Sequence, residues 1–235
     1  QPLFCQQLGI FPEPPEGIAN LFYEEVIRRF RFADIQLNSE NKPLGSTGIE
    51  VFFPRQNFLL CLESNYQKIS LAYSTNTKRN LDKAINNRLN FVRIISLEEY
   101  IDFNLVHIQP GVKKSDSQKL KSIIAYSLYL GIGEITGVYS SENKLCAAVF
   151  FCRWKDRIIY LNAVSDGEGR RLRSMFLLVD RFIKENAGHK LILDFEGSMI
   201  PGVARFYKGF GADPEYYPPF KFNRLPMPLK WFKKI

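Results

Sequence analysis

The sequence predicts a mixed α+β protein, and three observations support this class. Short apolar runs typical of strands alternate with longer amphipathic stretches typical of helices. Of the 235 residues, 46% are hydrophobic and 24% are charged, as in an ordinary folded protein. The chain is long enough for one large domain or two small ones, each with its own core.

The first part of the chain predicts a strand, a helix, a second strand and a hairpin. Pro14-Pro15-Glu16 opens the helix, which continues to Arg31 with apolar residues at helical spacing. The strands cover residues 3–11 and 33–37, and the hairpin joins residues 50–53 to 57–62. Two short helices then lie between Tyr66 and Asn87, the second with Thr75 or Thr77 as its N-cap.

The rest of the chain predicts a longer series of elements. A strand over residues 91–95 precedes Ser96-Leu97-Glu98-Glu99, a capping box that opens a helix. A glycine-rich turn, Ser165-Asp166-Gly167-Glu168-Gly169, then separates antiparallel strands from a long helix. In order, the other elements are a helix (117–130), three antiparallel strands (134–139, 144–154 and 157–164), the long helix (170–186), a strand (190–195), a helix (201–208) and a last strand (216–223).

The positive charge is concentrated in the second half of the chain. Residues 1–110 contain 11 Lys and Arg against 12 Asp and Glu, whereas residues 111–235 contain 21 against 12. A basic half favours a polyanionic partner such as a phosphorylated cofactor, an RNA or an acidic surface. A solvated basic face explains the same numbers.

The cysteines and the chain start indicate a cytoplasmic protein without a metal. Cys5, Cys61, Cys146 and Cys152 form no Cys-x-x-Cys pair, and the chain has two histidines, so we expect four buried free thiols and no zinc site. We expect no membrane span and no signal peptide. Because the chain does not begin with Met, we expect further residues upstream of Gln1.

The glycine-rich turn is the first candidate site. Backbone N–H groups at a helix start attract anions, so Gly167, Gly169, Arg170 and Arg171 are candidates for binding a phosphate. Asp166 and Glu168 oppose an anion there. The alternative is that the two glycines simply connect a strand to a helix.

The second candidate site is the stretch Ala204-Arg205-Phe206-Tyr207-Lys208-Gly209-Phe210-Gly211, which follows the buried strand ending in Asp194-Phe195-Glu196. A tyrosine on a short helix beside a strand end is placed to act as a general acid, and Tyr207 is that candidate. Glu196, just past the strand, is the candidate base. The alternatives are that Tyr207 is a core aromatic and that Glu196 is a surface carboxylate paired with Arg or Lys.

These motifs and their order resemble the GNAT superfamily of N-acyltransferases. The Phe-Tyr and Gly-Phe residues match its late signature, and residues 164–169 match its (Arg/Gln)-x-x-Gly-x-(Gly/Ala) loop at both glycines, with Val164 in place of Arg or Gln. The first 62 residues follow the order of the second half of the same unit. We therefore predict a GNAT fold with two GNAT-like units in tandem: a partial unit over residues 1–65, incomplete at its N-terminus, and a second unit over residues 66–235.

Tandem units of this kind also resemble the FemABX family of nonribosomal peptidyl transferases, whose Arg-Asn and Lys-Ala helix is similar to Arg79-Asn80 and Lys83-Ala84. That family carries Phe-Lys where this chain has Phe206-Tyr207, with Lys208 one residue later. This difference from the FemABX pattern favours a likeness to relatives with a thioester donor over those with a charged-tRNA donor.

The resemblance implies an N-acyltransferase with acetyl-CoA or another acyl-CoA as co-substrate and a primary amine as acceptor. Asn162, Ala163 and Val164 would lie along the cofactor, and the backbone N–H groups near Asn162 and Ala163 would polarise the thioester carbonyl. Tyr207 would protonate the departing sulfur. The alternatives are aminoacyl transfer from charged tRNA to a cell-wall precursor, and a GNAT-fold protein that binds a ligand without catalysis.

Overall fold

The computed structural model describes the chain except for residues 1, 3, 16, 42–52, 108–113, 198 and 233–235. The described part contains both helices and strands, often two or three of one kind in succession, which confirms the mixed α+β class. The helices are α1 (Ile18–Arg29), α2 (Tyr66–Leu71), α3 (Thr75–Asn86), α4 (Leu97–Val106), α5 (Lys114–Tyr129), α6 (Gly167–Leu172), α7 (Ser174–Asn186), α8 (Pro201–Gly209) and α9 (Leu229–Phe232).

The strands form two sheets. The larger sheet has the order β3-β4-β5-β6-β7-β2-β8, and the smaller pairs β1 with β9. Neighbouring strands β3 to β6 are antiparallel, as are β7 and β2, whereas β6 and β7 are parallel. The strands are β1 (Phe32–Gln36), β2 (Arg55–Cys61), β3 (Asn90–Val92), β4 (Gly133–Tyr139), β5 (Leu145–Trp154), β6 (Arg157–Ser165), β7 (Ile192–Asp194), β8 (Asp213–Tyr217) and β9 (Pro219–Asn223).

The chain divides into two compact units. One contains residues 1–57, 197–199 and 214–235, and the other contains residues 58–196 and 200–213. In the first unit, Tyr23 of α1 packs on Phe220 of β9 with ring centroids 5.0 Å apart. In the second unit, Phe151 of β5 stacks on Phe182 of α7 at 3.6 Å, at the centre of an extended apolar core.

Side-chain caps fix where α3 and α4 begin. The Ser96 hydroxyl accepts a hydrogen bond from the Glu99 N–H, which confirms the predicted cap of α4. The cap of α3 is Ser74, whose hydroxyl accepts from the Thr77 N–H. The prediction of Thr75 or Thr77 is therefore wrong, because both residues already lie inside the helix.

Three other predicted elements differ in the structure. In the described part of residues 3–11 the structure has a single bridge, between Leu8 and Leu37, where a strand was expected. The predicted last strand is two strands, β8 and β9. Of the predicted hairpin, residues 50–52 lie outside the described residues, and the second half falls within β2, which pairs with β7.

The cysteines are free, and they differ in burial. Cys146 is buried, Cys5 and Cys152 are part-buried and Cys61 is exposed, so the expectation of four buried thiols is wrong. Among the helices that the structure describes, none combines the length and the apolar character that crossing a membrane requires.

Candidate active site

Strands β6 and β7 run side by side over only three residues each and then part. Their last paired residues are Ile159 and Asp194, after which β6 continues to Ser165 whereas β7 ends. Openings at the carboxyl ends of neighbouring parallel strands are common ligand sites in sheets that contain them. Asn162, Ala163 and Val164 lie on β6 beyond this point, paired with β5 alone, and Glu196 follows β7 directly.

A group of aromatic rings packs where the strands part. Tyr160 and Phe195 are the first residues beyond the last pair, and Tyr207 reaches them from α8. The Phe195 and Tyr207 rings stack with centroids 4.8 Å apart, and the Tyr160 ring lies 5.9 Å from that of Tyr207. Phe58 of β2 lies 5.9 Å from Tyr207 on another side. The interpretation of Tyr207 as a core aromatic is thus correct for its ring, which leaves the role of its hydroxyl as a separate question.

Helix α8 is held at its C-terminal end, which fixes the position of Tyr207. Pro201 begins the helix, as predicted. The Gly209 carbonyl accepts a hydrogen bond of 2.9 Å from the Ser74 N–H at the start of α3. A Cβ at Gly209 would lie 2.4 Å from the Thr77 Oγ1, so only glycine permits this close contact.

The Tyr207 hydroxyl stays protonated. The side chain is 8% exposed. Burial raises the pKa of Tyr207 above its ordinary value of 10, and the nearby Glu196 carboxylate raises it further. A phenol in this state can donate a proton, and it cannot act as a base.

Glu196 has an unusual backbone and an unusual carboxylate. Its φ of 57° lies in the left-handed region, which is rare for residues other than glycine and is often found at functional sites. Burial, together with the charge of Asp194, raises the pKa of Glu196 from 4.5 to about 8. Its environment therefore favours a carboxyl group that exchanges its proton near neutral pH.

Asp194 has a different function in this cluster. Its Oδ1 accepts a hydrogen bond of 2.8 Å from the Glu196 N–H, and its Oδ2 lies 3.4 Å from the Arg157 Nε. Asp194 is 5% exposed. Among the described residues the ion pair is made by Asp194 and not by Glu196, so the arrangement holds the Glu196 backbone while leaving its carboxylate available.

The glycine-rich turn is the first turn of a helix of its own. Helix α6 begins at Gly167, and Arg173 interrupts it with a φ of 65° before α7 starts. The predicted single helix from residue 170 is therefore wrong. The cause is the left-handed conformation of Arg173, for which the sequence has no glycine as a signal.

The charged side chains of the turn bind groups within the turn itself. The Asp166 Oδ1 accepts a hydrogen bond of 2.6 Å from the Gly169 N–H. Arg170 donates to the Ser165 carbonyl at 2.7 Å, and Arg171 donates to the Glu168 carboxylate at 3.3 Å. A carboxylate thus occupies the place at the helix start where a phosphate was expected.

Two further polar side chains near the site are those of Lys208 and Asn162. Lys208, exposed on α8, has its Nζ 5.7 Å from the centroid of the Phe58 ring, beside Tyr207. The Asn162 side chain accepts hydrogen bonds from Tyr100 and Asn104 of α4. Sequence reasoning missed these α4 residues, because they precede Asn162 by about 60 positions and carry no recognisable motif.

Among the described residues, no group of three or more His, Cys, Asp or Glu side chains is placed to hold a metal ion.

Comparisons with known proteins show the fold. No protein-family model matches the sequence, and no curated protein matches it. Among solved structures, FemX matches with a TM-score of 0.61 and 12% identity, over 92% of this chain and 79% of FemX. The C-terminal domain of a protein assigned as a lysylphosphatidylglycerol synthetase from Agrobacterium fabrum matches with a TM-score of 0.54 and 12% identity, over 88% of this chain and 72% of that domain.

L-PGS from Bacillus licheniformis is also similar, with a TM-score of 0.50 and 11% identity, over 86% of this chain and 71% of that chain. At these identities the likeness concerns the fold. The chain has a GNAT-like fold of the FemABX type, as the sequence predicted. The division into a partial unit over residues 1–65 and a second over residues 66–235 stays a prediction.

Proposed function

We propose that this protein is an N-acyltransferase that moves an acyl group from an activated donor to a primary amine. The observation that supports this proposal best is the proximity of Glu196 and Tyr207 where β6 and β7 part. The carboxyl group has a pKa of about 8, and its charge raises the pKa of the Tyr207 phenol. An acid and a base whose pKa values are pushed to different ranges are what acyl transfer to an amine requires.

Glu196 is the base in this mechanism. An amine acceptor is an ammonium ion in water, and it must lose a proton before its nitrogen can attack a carbonyl carbon. A base whose pKa lies near the working pH accepts that proton more effectively than an ordinary carboxylate, because a stronger base provides a larger driving force. Asp194 raises the basicity of Glu196 and binds its N–H.

Tyr207 is the acid. When the carbonyl carbon has bonded to the amine nitrogen, the bond to the leaving sulfur or oxygen breaks and that atom takes a proton from the Tyr207 hydroxyl. The aromatic rings around Tyr207 exclude water from this step. The nitrogen loses its second proton to the Tyr207 oxygen as the amide forms, and Glu196 releases to solvent the proton that it took from the ammonium ion.

The contacts at the start of α6 help to choose between the two candidate acyl donors. A coenzyme A pyrophosphate at the start of α6 would have to displace the Asp166 carboxylate from the Gly169 N–H, and it would lie beside Glu168. An aminoacyl-tRNA, the donor implied by the FemABX resemblance, has no pyrophosphate near its reactive ester. We therefore propose aminoacyl-tRNA as the donor, and acyl-CoA, which the sequence favoured, becomes the alternative.

A transfer assay tests both parts of the proposal. The protein is incubated with acetyl-CoA, or with a mixture of labelled aminoacyl-tRNAs, and with a panel of amines that includes polyamines, amino sugars, lysine peptides and hydroxylamine. We expect amide products from the charged tRNAs. Amide formed from acetyl-CoA alone would reverse the order of donors, and no product from either donor would contradict the proposed function.

A variant of the helix cap tests the reason for the donor choice. Asp166→Ser keeps a side-chain oxygen that can cap α6 and removes the negative charge. If the carboxylate excludes coenzyme A, calorimetric titration should show coenzyme A binding to the variant and not to the parent protein. Equal binding to both proteins would remove the argument against acyl-CoA.

A further inference from the structure

A β-bulge turns two site residues of β6, Tyr160 and Asn162, to opposite faces of the sheet. In the pairing of β5 with β6, Phe151 is opposite Tyr160 and Phe150 is opposite Asn162, so Leu161 has no partner. Directly opposed residues share a face, and Phe150 and Phe151 lie on different faces. Tyr160 therefore faces α7, where its hydroxyl donates to the Met175 sulfur at 3.2 Å, and Asn162 faces the other side.

On that other side, two side chains of α4 bind the oxygen of the Asn162 amide. The Tyr100 hydroxyl lies 2.5 Å from the Asn162 Oδ1, and the Asn104 Nδ2 lies 3.0 Å from it. Tyr100 is fully buried, and Asn104 is 9% exposed. Burial raises the pKa of Tyr100, so its hydroxyl is a donor at every physiological pH. Two donors on one amide oxygen fix the plane of the amide and turn its nitrogen away from α4.

The Asn162 Nδ2 is the part of this side chain left for another molecule. Within the described residues it makes no hydrogen bond, and it is not among the buried polar atoms that lack a partner. Asn162 is the third residue beyond the last pair of β6 with β7, and Glu196 is the second residue beyond that pair on the other strand. The amide and the proposed base therefore follow the point where the two strands part, one on each strand.

We infer that the Asn162 side-chain amide donates a hydrogen bond to the acyl carbonyl oxygen during transfer, with Tyr100 and Asn104 as its positioning residues. The inference rests on the proposed function. As the amine nitrogen bonds to the carbonyl carbon, the π electrons move to the oxygen, and the fixed N–H stabilises that charge. These electrons return from the oxygen to re-form the carbonyl double bond when the leaving group departs with the Tyr207 proton. A preorganised donor of this kind stabilises the transition state more than the bound substrate.

The test is Asn162→Asp. Aspartate retains two oxygens that can accept from Tyr100 and Asn104, so the clamp can persist, but it has no N–H to donate. We expect kcat for amide formation to fall by about 10²–10³-fold with KM changed little, because a donor used mainly in the transition state is lost. Tyr100→Phe removes one of the two positioning contacts, so its kcat should fall less. An Asn162→Asp protein that keeps the parent kcat would overturn the inference.

Binding of puromycin, an amide analogue of the aminoacyl end of a charged tRNA, separates this inference from the proposed function. The side-chain NH₂ resonance of Asn162 is identified by its loss in Asn162→Asp and is followed during the titration, together with the backbone resonance of Phe195. Shifts of both are expected. A shift of the Phe195 resonance with no shift of the Asn162 side-chain resonance would overturn this inference and leave the proposed function standing. Absence of any shift, with no amide formed by the parent protein, would overturn both.

Discussion

Tyr207 combines two properties that a single substitution can separate. Its ring packs between Phe58, Phe195 and Tyr160, whereas the proposed chemistry needs only its hydroxyl. We predict that Tyr207→Phe keeps the melting temperature within a few degrees and lowers kcat by about 10²–10⁴-fold, the usual contribution of a general acid.

Tyr160→Phe is the matched control, because it removes a buried hydroxyl of the same cluster whose partner is the Met175 sulfur. It should leave kcat close to that of the parent protein. Equal loss of activity in both variants would show that the cluster needs its hydroxyls for packing, and it would remove Tyr207 from the mechanism.

The raised pKa of Glu196 makes stability depend on pH in a defined direction. Between pH 4.5 and about 8 the folded protein holds a proton on Glu196 that the unfolded chain has released. The free energy of unfolding therefore falls as pH rises through this range, by up to about 1.4 kcal/mol per unit. Glu196→Gln should reduce this slope in chemical denaturation at several pH values.

Glu24→Gln, at an exposed carboxylate of α1, provides the control and should follow the parent protein. If Glu196→Gln also follows the parent protein across the range, the Glu196 pKa is ordinary, and Glu196 would not be suited to the role of base.

The residues of the site differ in how well the sequence predicts them. Tyr207 and Glu196 lie 11 positions apart around one strand end, so a local pattern suffices, and the structure brings them together. The part-buried Asn162 side chain depends on Tyr100 and Asn104 of a distant helix. Its partners arise from tertiary packing, which periodicity and short motifs do not describe.

Among the structural elements, α6 shows how a glycine in a motif can be needed for packing. A Cβ at Gly169 would lie 2.1 Å from the Cys146 carbonyl oxygen and 2.6 Å from the Ser174 Oγ. We predict that Gly169→Ala destabilises the protein by about 1–3 kcal/mol, the range for overpacking, which lowers the melting temperature by several degrees.

Gly167→Ala is the companion variant in the same turn. Its added methyl group would have the Arg170 side chain, at 3.9 Å, as its nearest neighbour, and alanine favours a helix more than glycine does. Its melting temperature should be unchanged or slightly higher. Equal destabilisation by both substitutions would mean that backbone conformation, and not contact with β5, sets the requirement at Gly169.

The sequence predicts the central elements of the second unit well, since the amphipathic pattern of α5, the hairpin of β4 and β5 and the Pro start of α8 are local signals. The prediction fails where the backbone conformation of a few residues determines where an element ends. Arg173 breaks a helix in a left-handed conformation that its residue type does not indicate, and one proline-rich segment divides into β8 and β9.

At the scale of the whole molecule, the order of elements was more informative than any one motif. The glycine loop departs from the GNAT pattern at Val164, and Phe206-Tyr207 departs from the FemABX pattern, yet the fold matches FemX over 92% of the chain. The net positive charge of residues 111–235 suits a polyanionic donor such as tRNA.

The pH dependence of transfer tests the central claim most directly. The rate of amide formation from labelled aminoacyl-tRNA, or from acetyl-CoA if that donor proves active, is measured with hydroxylamine between pH 6 and 9 for the parent protein and for Glu196→Gln. We predict a parent rate that rises with pH and levels off near pH 8, and a low rate without this rise in the variant. The same profile in both proteins, or no amide above the background without enzyme at any pH, would contradict the account.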